Sequence, residues 1–262
     1  MLIYPTVKMR PLLGLLGAGG GSGGAGTYSG GSLIKAPFDY AFSFDGGSAT
    51  LGLQSGSAQS TLTEVGGNPL NDWQSTGGLD NSGHYASSTG TSDANIWSFP
   101  SSDSVEGNDI NGSVGNFDQY ALSCWVKTTL NSSAGNYTVY ETILGDTTGN
   151  VWGGFGVDNQ KATFAQSSSK WTSTSNVNTG SWVHIGFILE PTTLRIFVNG
   201  TKELTQTGIT WSSNLHFWNF CGTYNYGNKK IANLDAVVIW IDRDISDDDM
   251  TNAYTAGAFS GI

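Results

Sequence analysis

The chain is short of charge. Only 12% of its 262 residues are Asp, Glu, Lys or Arg, about half the usual share. Eleven are basic and the net charge is −10. Lys and Arg form no stripe, so a phosphate backbone is repelled and nucleic-acid binding is not expected. An anionic membrane surface is disfavoured for the same reason, and no run of about eighteen apolar residues is present to span a bilayer.

Glutamate is scarcer still. Glu64, Glu106, Glu141, Glu190 and Glu203 are the whole set, and no two are close in sequence. The two cysteines, Cys124 and Cys221, sit in the apolar stretches LSCWV and NFCGT. They read as buried thiols, with one disulfide as the alternative; they are too few for a disulfide framework and lack zinc spacing. His84, His184 and His216 are too scattered for a metal site. In MLIYPTVKMRPLLGLL, Lys8 and Arg10 precede an apolar run shorter than a signal peptide needs, so secretion through it is not expected. GAGGGSGG lacks the Lys-Ser/Thr ending of a phosphate loop. The sequons at Asn111, Asn131, Asn136 and Asn199 are the chance yield of an Asn/Ser/Thr-rich text.

What the chain does have is glycine and aromatic residues: 37 Gly, 9 Trp, 10 Tyr and 12 Phe, within 38% hydrophobic content. That builds a sizeable core, in one large all-β domain or two small ones. Ten of the eighteen residues from Gly14 to Gly31 are glycine. Ordering a backbone costs about 1–2 kcal/mol per residue, and glycine loses the most entropy. Leu12, Leu13, Leu15 and Leu16 cannot offset that alone. Residues 1–36 are therefore expected to be an arm that orders only where partner chains grip Leu12, Leu13, Leu15, Leu16 and Tyr28.

From Phe38 onward short Val/Ile/Phe/Tyr/Trp runs alternate with Gly/Asn/Ser/Thr turns. Strands are expected at 38–44, 120–128, 140–146, 152–157, 181–189 and 231–241, with Val183, Ile185, Phe187 and Leu189 on one face. LRIFVNGTKEL (194–204) reads as a hairpin turning at Asn199-Gly200. ISDDDMTNAYTAG (245–257) reads as a helix: Ser246 is its N-cap, Asp249 completes a capping box, Ile245 and Met250 form a staple, and Gly257 ends it. Residues 54–116 are polar with scattered aromatics and read as an insertion with some strands of its own. The expected fold is an all-β, two-sheet antiparallel jelly-roll sandwich over residues 37–262, with a short C-terminal helix.

FDQYALSCWVKTT, TILGD, GSWVHIGFILEPTTLRIFVNGTKE and NLDAVVIWIDRDISDDDMTNAYTAG, in that order, resemble the laminin-G-like members of the concanavalin A-like lectin/glucanase superfamily. The family elements are Trp125-Val126-Lys127, Gly180-Ser181-Trp182-Val183-His184, Asn199-Gly200, and Asp235 followed by the acidic helix; FSFDGGSATLGL matches the opening strand. The resemblance implies a sandwich used for glycan or protein binding, with calcium in some relatives. The glucanases of the superfamily place two Glu around an Asp at alternate strand positions. That motif is missing here, so no catalytic residue is assigned and the chain is not expected to be an enzyme.

Candidate ligands for metal are Asp242, Asp244, Asp247, Asp248 and Asp249, which equally suit a helix N-terminus dressed with its preferred charge; no cofactor is required. His184 is expected to pack rather than to catalyse. The glycan-binding candidates are Trp211, Trp218, Tyr224 and Tyr226 in WSSNLHFWNFCGTYNYG, whose flat rings suit sugar faces. Together these readings point to a component of a bacteriophage virion, in tail fibre, tail appendage or capsid decoration. Its arm docks on other virion proteins, its sandwich faces outward toward a host surface glycan, and it occurs as a homo-oligomer. A secreted bacterial adhesin module and a divergent glycosidase are the alternatives.

Overall fold

The computed structural model describes residues 34–35, 40–42, 63–65, 73–74, 85–87, 96–98, 119–128, 141–145, 153–166, 169–209, 219–220, 233–241 and 243–257. The arm residues Leu12, Leu13, Leu15, Leu16 and Tyr28 lie outside them, as do Trp211, Trp218, Tyr224, Tyr226 and Cys221.

Among the described residues the chain forms β1 (Tyr40–Phe42), β2 (Thr63–Val65), β3 (Trp73–Gln74), β4 (Tyr85–Ser87), β5 (Ile96–Ser98), β6 (Tyr120–Lys127), β7 (Glu141–Gly145) and β8 (Gly153–Asp158). It continues with β9 (Lys161–Gln166), β10 (Ser169–Asn176), β11 (Val183–Glu190), β12 (Thr193–Val198), β13 (Thr201–Thr207), β14 (Asn219–Phe220), β15 (Asn233–Ile241) and α1 (Asp247–Ala256). Two antiparallel sheets result. The first is ordered β13-β12-β11-β6-β15-β4-β3, with β1 also paired to β15; the second is β10-β9-β8-β7-β14-β5-β2. This is the expected jelly-roll sandwich with its short C-terminal helix. Segment 54–116 contributes β2 and β5 to one sheet and β3 and β4 to the other.

The period-2 alternation of β11 sets the layers. Val183, Ile185, Phe187 and Leu189 face inward, opposite Val126, Cys124, Leu122 and Tyr120 on β6. Across the sandwich, the rings of Phe187 and Phe155 lie 4.6 Å apart and those of Tyr120 and Phe155 6.1 Å. Phe164 joins Phe155 at 4.7 Å. All four rings are fully buried, and Cys124 beside them is a buried free thiol.

The other face of the first sheet carries α1. Ala121, Ile188, Phe197, Ala236, Val238 and Trp240 pack against Ile245, Met250 and Ala253. Ile34 joins this cluster, and the Trp240 indole donates to the Lys35 carbonyl at 2.9 Å, so the folded body begins no later than Ile34. Gly186 lets the helix sit this close: a Cβ there would stand 2.8 Å from Met250 Sδ.

Local chemistry places the helix as the sequence implies. Ser246 Oγ accepts from Asp249 N and the Asp249 carboxylate accepts from Ser246 N, a complete capping box. The staple residues Ile245 and Met250 are both buried, and Gly257 takes φ +66° at the C-terminal end. The β12–β13 hairpin turns through Asn199 (φ +48°) and Gly200 (φ +73°), the mirror-image turn that Asn-Gly favours. Thr251 of the helix donates to the Gly200 carbonyl at 2.9 Å. At the edge of the sandwich, the Glu203 carboxylate of β13 accepts from the backbone N–H groups of Thr174 and Ser175 on β10, both at 2.8 Å. That ties one edge strand of each sheet to the other and shields N–H groups that could template pairing.

Candidate functional site

The acidic run before and within α1 is the densest charge cluster of the sequence; Asp242 lies outside the described residues, and the Asp247 and Asp249 carboxylates are engaged. Asp247 receives Arg195 at 2.7 Å and Lys202 at 2.5 Å. Arg195 also holds Glu190 at 2.5 Å. Asp249 serves Ser246 and reaches Lys35 at 3.4 Å. Partial burial pulls both aspartate carboxyls up, but these hydrogen bonds and cations outweigh it and hold them below the usual range. Among the described residues no three His, Cys, Asp or Glu side chains are grouped to hold a metal ion. Asp249 thus caps the helix, and Asp247 pins it to the β12–β13 hairpin.

Two of the five glutamates are committed the same way, Glu190 to Arg195 and Gln119 and Glu203 to the β10 backbone. The Ser–His contact is equally structural. Ser123 Oγ and His184 Nε2 lie 2.8 Å apart, with His184 at 0% exposure and Ser123 at 3%. The Trp125 and Tyr254 rings flank the imidazole at 5.5 and 5.7 Å. Among the described residues its Nδ1 has no hydrogen-bond partner. Burial lowers the His184 pKa to about 3, so the group is a neutral core member and a poor proton acceptor.

An aromatic strip lies beside the last turn of α1 on the first sheet. Trp125 and Lys127 share the outer face at alternate positions of β6. Trp182, just before β11, stands beside Lys127, whose ammonium lies 6.0 Å from the Trp182 ring centre. Tyr254 stacks on Trp125 at 5.6 Å and 24° and is 37% exposed, the one exposed large hydrophobic among the described residues. Trp125, Lys127 and Trp182 are half-buried. The alternation Trp125/Lys127 was legible in sequence; the exposure was not, because it depends on where the helix ends. Of the segment WSSNLHFWNFCGTYNYG only β14, Asn219–Phe220, is described, paired with β7 and β5 in the second sheet.

The fold is a two-sheet antiparallel β-sandwich of the lectin/glucanase type. Residues 99–249 match the family described as the concanavalin A-like lectin/glucanases superfamily. The match covers more than half of the chain, which belongs to that superfamily. Among curated proteins none matches the sequence significantly. Among solved structures, the chain is similar to domain 4 of AbnA, a GH43 extracellular arabinanase from Geobacillus stearothermophilus, in complex with arabinotriose (16% identity, TM-score 0.52, 84% of this chain and 98% of that one). It is also similar to the botulinum neurotoxin serotype G binding domain (14%, 0.52, 82% and 50%). A third is Trypanosoma rangeli sialidase in complex with the inhibitor DANA (9%, 0.58, 86% and 34%). The chain thus spans nearly all of the arabinanase domain, half of the toxin domain and a third of the sialidase. At these identities the likeness is one of fold.

Proposed function

We propose that this chain is a non-enzymatic virion component of a bacteriophage, whose sandwich binds glycan and whose glycine-rich residues before Leu33 dock it to other particle proteins. The observation that carries the binding half is the division of side chains on the described sandwich: the carboxylates of Asp158, Glu190, Glu203, Asp247 and Asp249 go to ion pairs and hydrogen bonds, while aromatic rings reach solvent at Trp125 and Tyr254. A glycosidase needs two free carboxyls facing one cleft; a lectin needs rings and hydrogen-bonding groups. Similarity to an arabinanase domain in complex with arabinotriose supports a saccharide ligand. The docking half rests on the glycine-rich arm, which orders at tolerable cost only against partners. The sparse charge and the Ser/Thr/Asn/Gly-rich surface fit the outside of a particle, in tail or capsid, with symmetric copies.

The test uses the full chain and a chain beginning at Leu33. Both are expected to bind the same sugars on an immobilised glycan panel, and only the full chain to incorporate into particles. Equal incorporation overturns the docking role, and an empty panel overturns the glycan role. Release of reducing sugar from any panel member transfers the chain to the glycosidases.

A further inference from the structure

Most cations of the described sandwich are spent on internal partners. Lys170 holds Asp158 at 2.7 Å, Lys35 reaches Asp249, and Arg195 and Lys202 hold Asp247. Lys161 donates to the Thr174 carbonyl. Lys127 differs. It lies over the Trp182 ring and has no carboxylate partner among the described residues. A ring face balances an ammonium electrostatically but leaves its N–H donors without strong acceptors. The chain's net charge is −10, so a surface cation without a carboxylate partner among the described residues stands out.

The surroundings specify what Lys127 would take. Trp125 lies two positions back on the same strand face, about 7 Å along β6. Tyr254 stacks on it and presents an exposed ring, whose hydroxyl offers a polar handle. A flat apolar platform and a lysine without a carboxylate partner among the described residues, about one sugar residue apart along the strand, are complementary to a pyranose ring bearing a carboxylate. The ring lies on the aromatic platform and the carboxylate accepts from Lys127 Nζ.

We propose that the strip Trp182–Lys127–Trp125–Tyr254 is a binding site for a carboxylated sugar. This rests on the glycan-binding reading above and adds to it a place and a ligand class. The charge on Lys127 supplies the preference for an acidic sugar, since a charge-assisted hydrogen bond is the stronger kind.

The experiment is titration calorimetry of the full chain against sialyllactose, a galacturonate trisaccharide and lactose. The first two carry a nonulosonic and a uronic carboxylate, and so distinguish the sources of the acid group; lactose carries none. At least one acidic probe is expected to bind about tenfold or more tighter than lactose, and the preference is expected to weaken as salt rises. Lys127→Gln is expected to remove that preference with an unchanged melting temperature. Lys127→Arg is expected to keep it, and Tyr254→Ala to weaken all binding. Equal binding of acidic and neutral probes overturns the proposal. So does a Lys127→Gln variant that binds like wild type, with the dependence falling on Trp211→Ala or Trp218→Ala; glycan binding itself then stands. Self-association relieved by Tyr254→Ala, without any effect on sugar, makes the strip a protein contact and also overturns it. Binding of no sugar at all removes the glycan reading and this inference together.

Discussion

His184 makes the stability of this fold sensitive to mild acid, in a window where carboxylates matter little. The imidazole is fully buried, its Nδ1 lacks a partner among the described residues, and burial holds its pKa at about 3. In the unfolded chain the same group titrates near its ordinary value of about 6.5. Below that pH the unfolded state takes up a proton that the folded state refuses, so folding is penalised. The stabilising difference is complete above about pH 6.5 and is lost progressively toward the folded pKa, at about 1.4 kcal/mol per pH unit. By pH 4 the loss reaches about 3 kcal/mol, a large fraction of the roughly 5–15 kcal/mol that holds a typical domain. Asp247 and Asp249, whose carboxyls are held below the usual range, stabilise above their ordinary pKa and withdraw that contribution only below about pH 4. The measurement is urea unfolding of the wild type and of His184→Gln at half-unit steps from pH 4.5 to 7. Gln keeps a hydrogen-bonding group for Ser123 but cannot take the proton. Every other titrating group, His84 and His216 included, is common to both proteins and cancels in the difference. The wild type is expected to lose stability with a slope about one proton steeper than the variant. Parallel slopes refute the reasoning. Where the variant does not fold, the imidazole resonances of the wild type decide, and a His184 signal titrating near pH 6.5 refutes it equally.

Gly186→Ala is expected to destabilise by about 1–3 kcal/mol in chemical denaturation, because the new Cβ meets Met250 Sδ at 2.8 Å; adding Met250→Ala should couple with it measurably in a double-mutant cycle. Gly200→Ala is expected to cost more than about 1 kcal/mol, since φ is +73° and Tyr254 atoms stand 2.8–3.1 Å from the added Cβ. Ser246→Ala, which removes the N-cap oxygen, should cost about 0.5–2 kcal/mol, read as a lower denaturation midpoint with the same denaturant slope. A chain beginning at Leu33 should melt like the full chain. One beginning at Phe38 should melt lower, because it loses the burial of Ile34, worth about 1.5–3 kcal/mol, and the carbonyl that accepts from Trp240.

The elements legible in the sequence are those whose local and long-range preferences agree. β11 alternates cleanly, Asn199-Gly200 is the turn that two positive φ angles require, and α1 is framed by a capping box, a staple and a closing glycine. β9 and β10 were not legible. SKWTSTSN forms an edge strand in which exposed Ser, Thr and Asn outnumber the inward residues, so the apolar alternation has almost nothing to register. Its neighbour begins after a turn through Asn159 (φ +45°) and Gln160 (φ +70°), the same mirror-image geometry as at Asn199-Gly200 but without the glycine that announces it. The bulge in β15 is likewise silent in sequence. Ala236 adopts φ +47°, where alanine gives no warning, and its N–H is satisfied by Asp235 Oδ1 at 2.7 Å. The packing role of His184 was legible from its place beside Trp182-Val183; its unpartnered nitrogen was not. Nor was the aromatic strip, since a strand pattern says which side chains share a face and not how far a helix from elsewhere in the chain will cover them.

That coverage divides the outer face of the first sheet into two territories with different duties. Over Ala121, Ile188, Phe197 and Trp240 the helix seals the sheet with Met250, Ala253 and Ile245, and the ion pairs from Arg195, Lys202 and Lys35 fasten its first turn. All the strong local determinants of α1 lie at this end: cap, staple and salt bridges. Toward its last turn the helix has no basic residue and relies on contacts between Tyr254, Trp125 and the Gly200 turn. Stability is therefore concentrated at the helix start and exposure at its end. A ligand engaging Tyr254 would press on the part of the helix held by the fewest electrostatic ties, but that part rests on a hairpin turn whose backbone is fixed from two sides, by Thr251 and by the pairing of Asn199 with His184. A platform of that kind is rigid because its floor is rigid, which is what a binding surface needs to keep its ordering cost low.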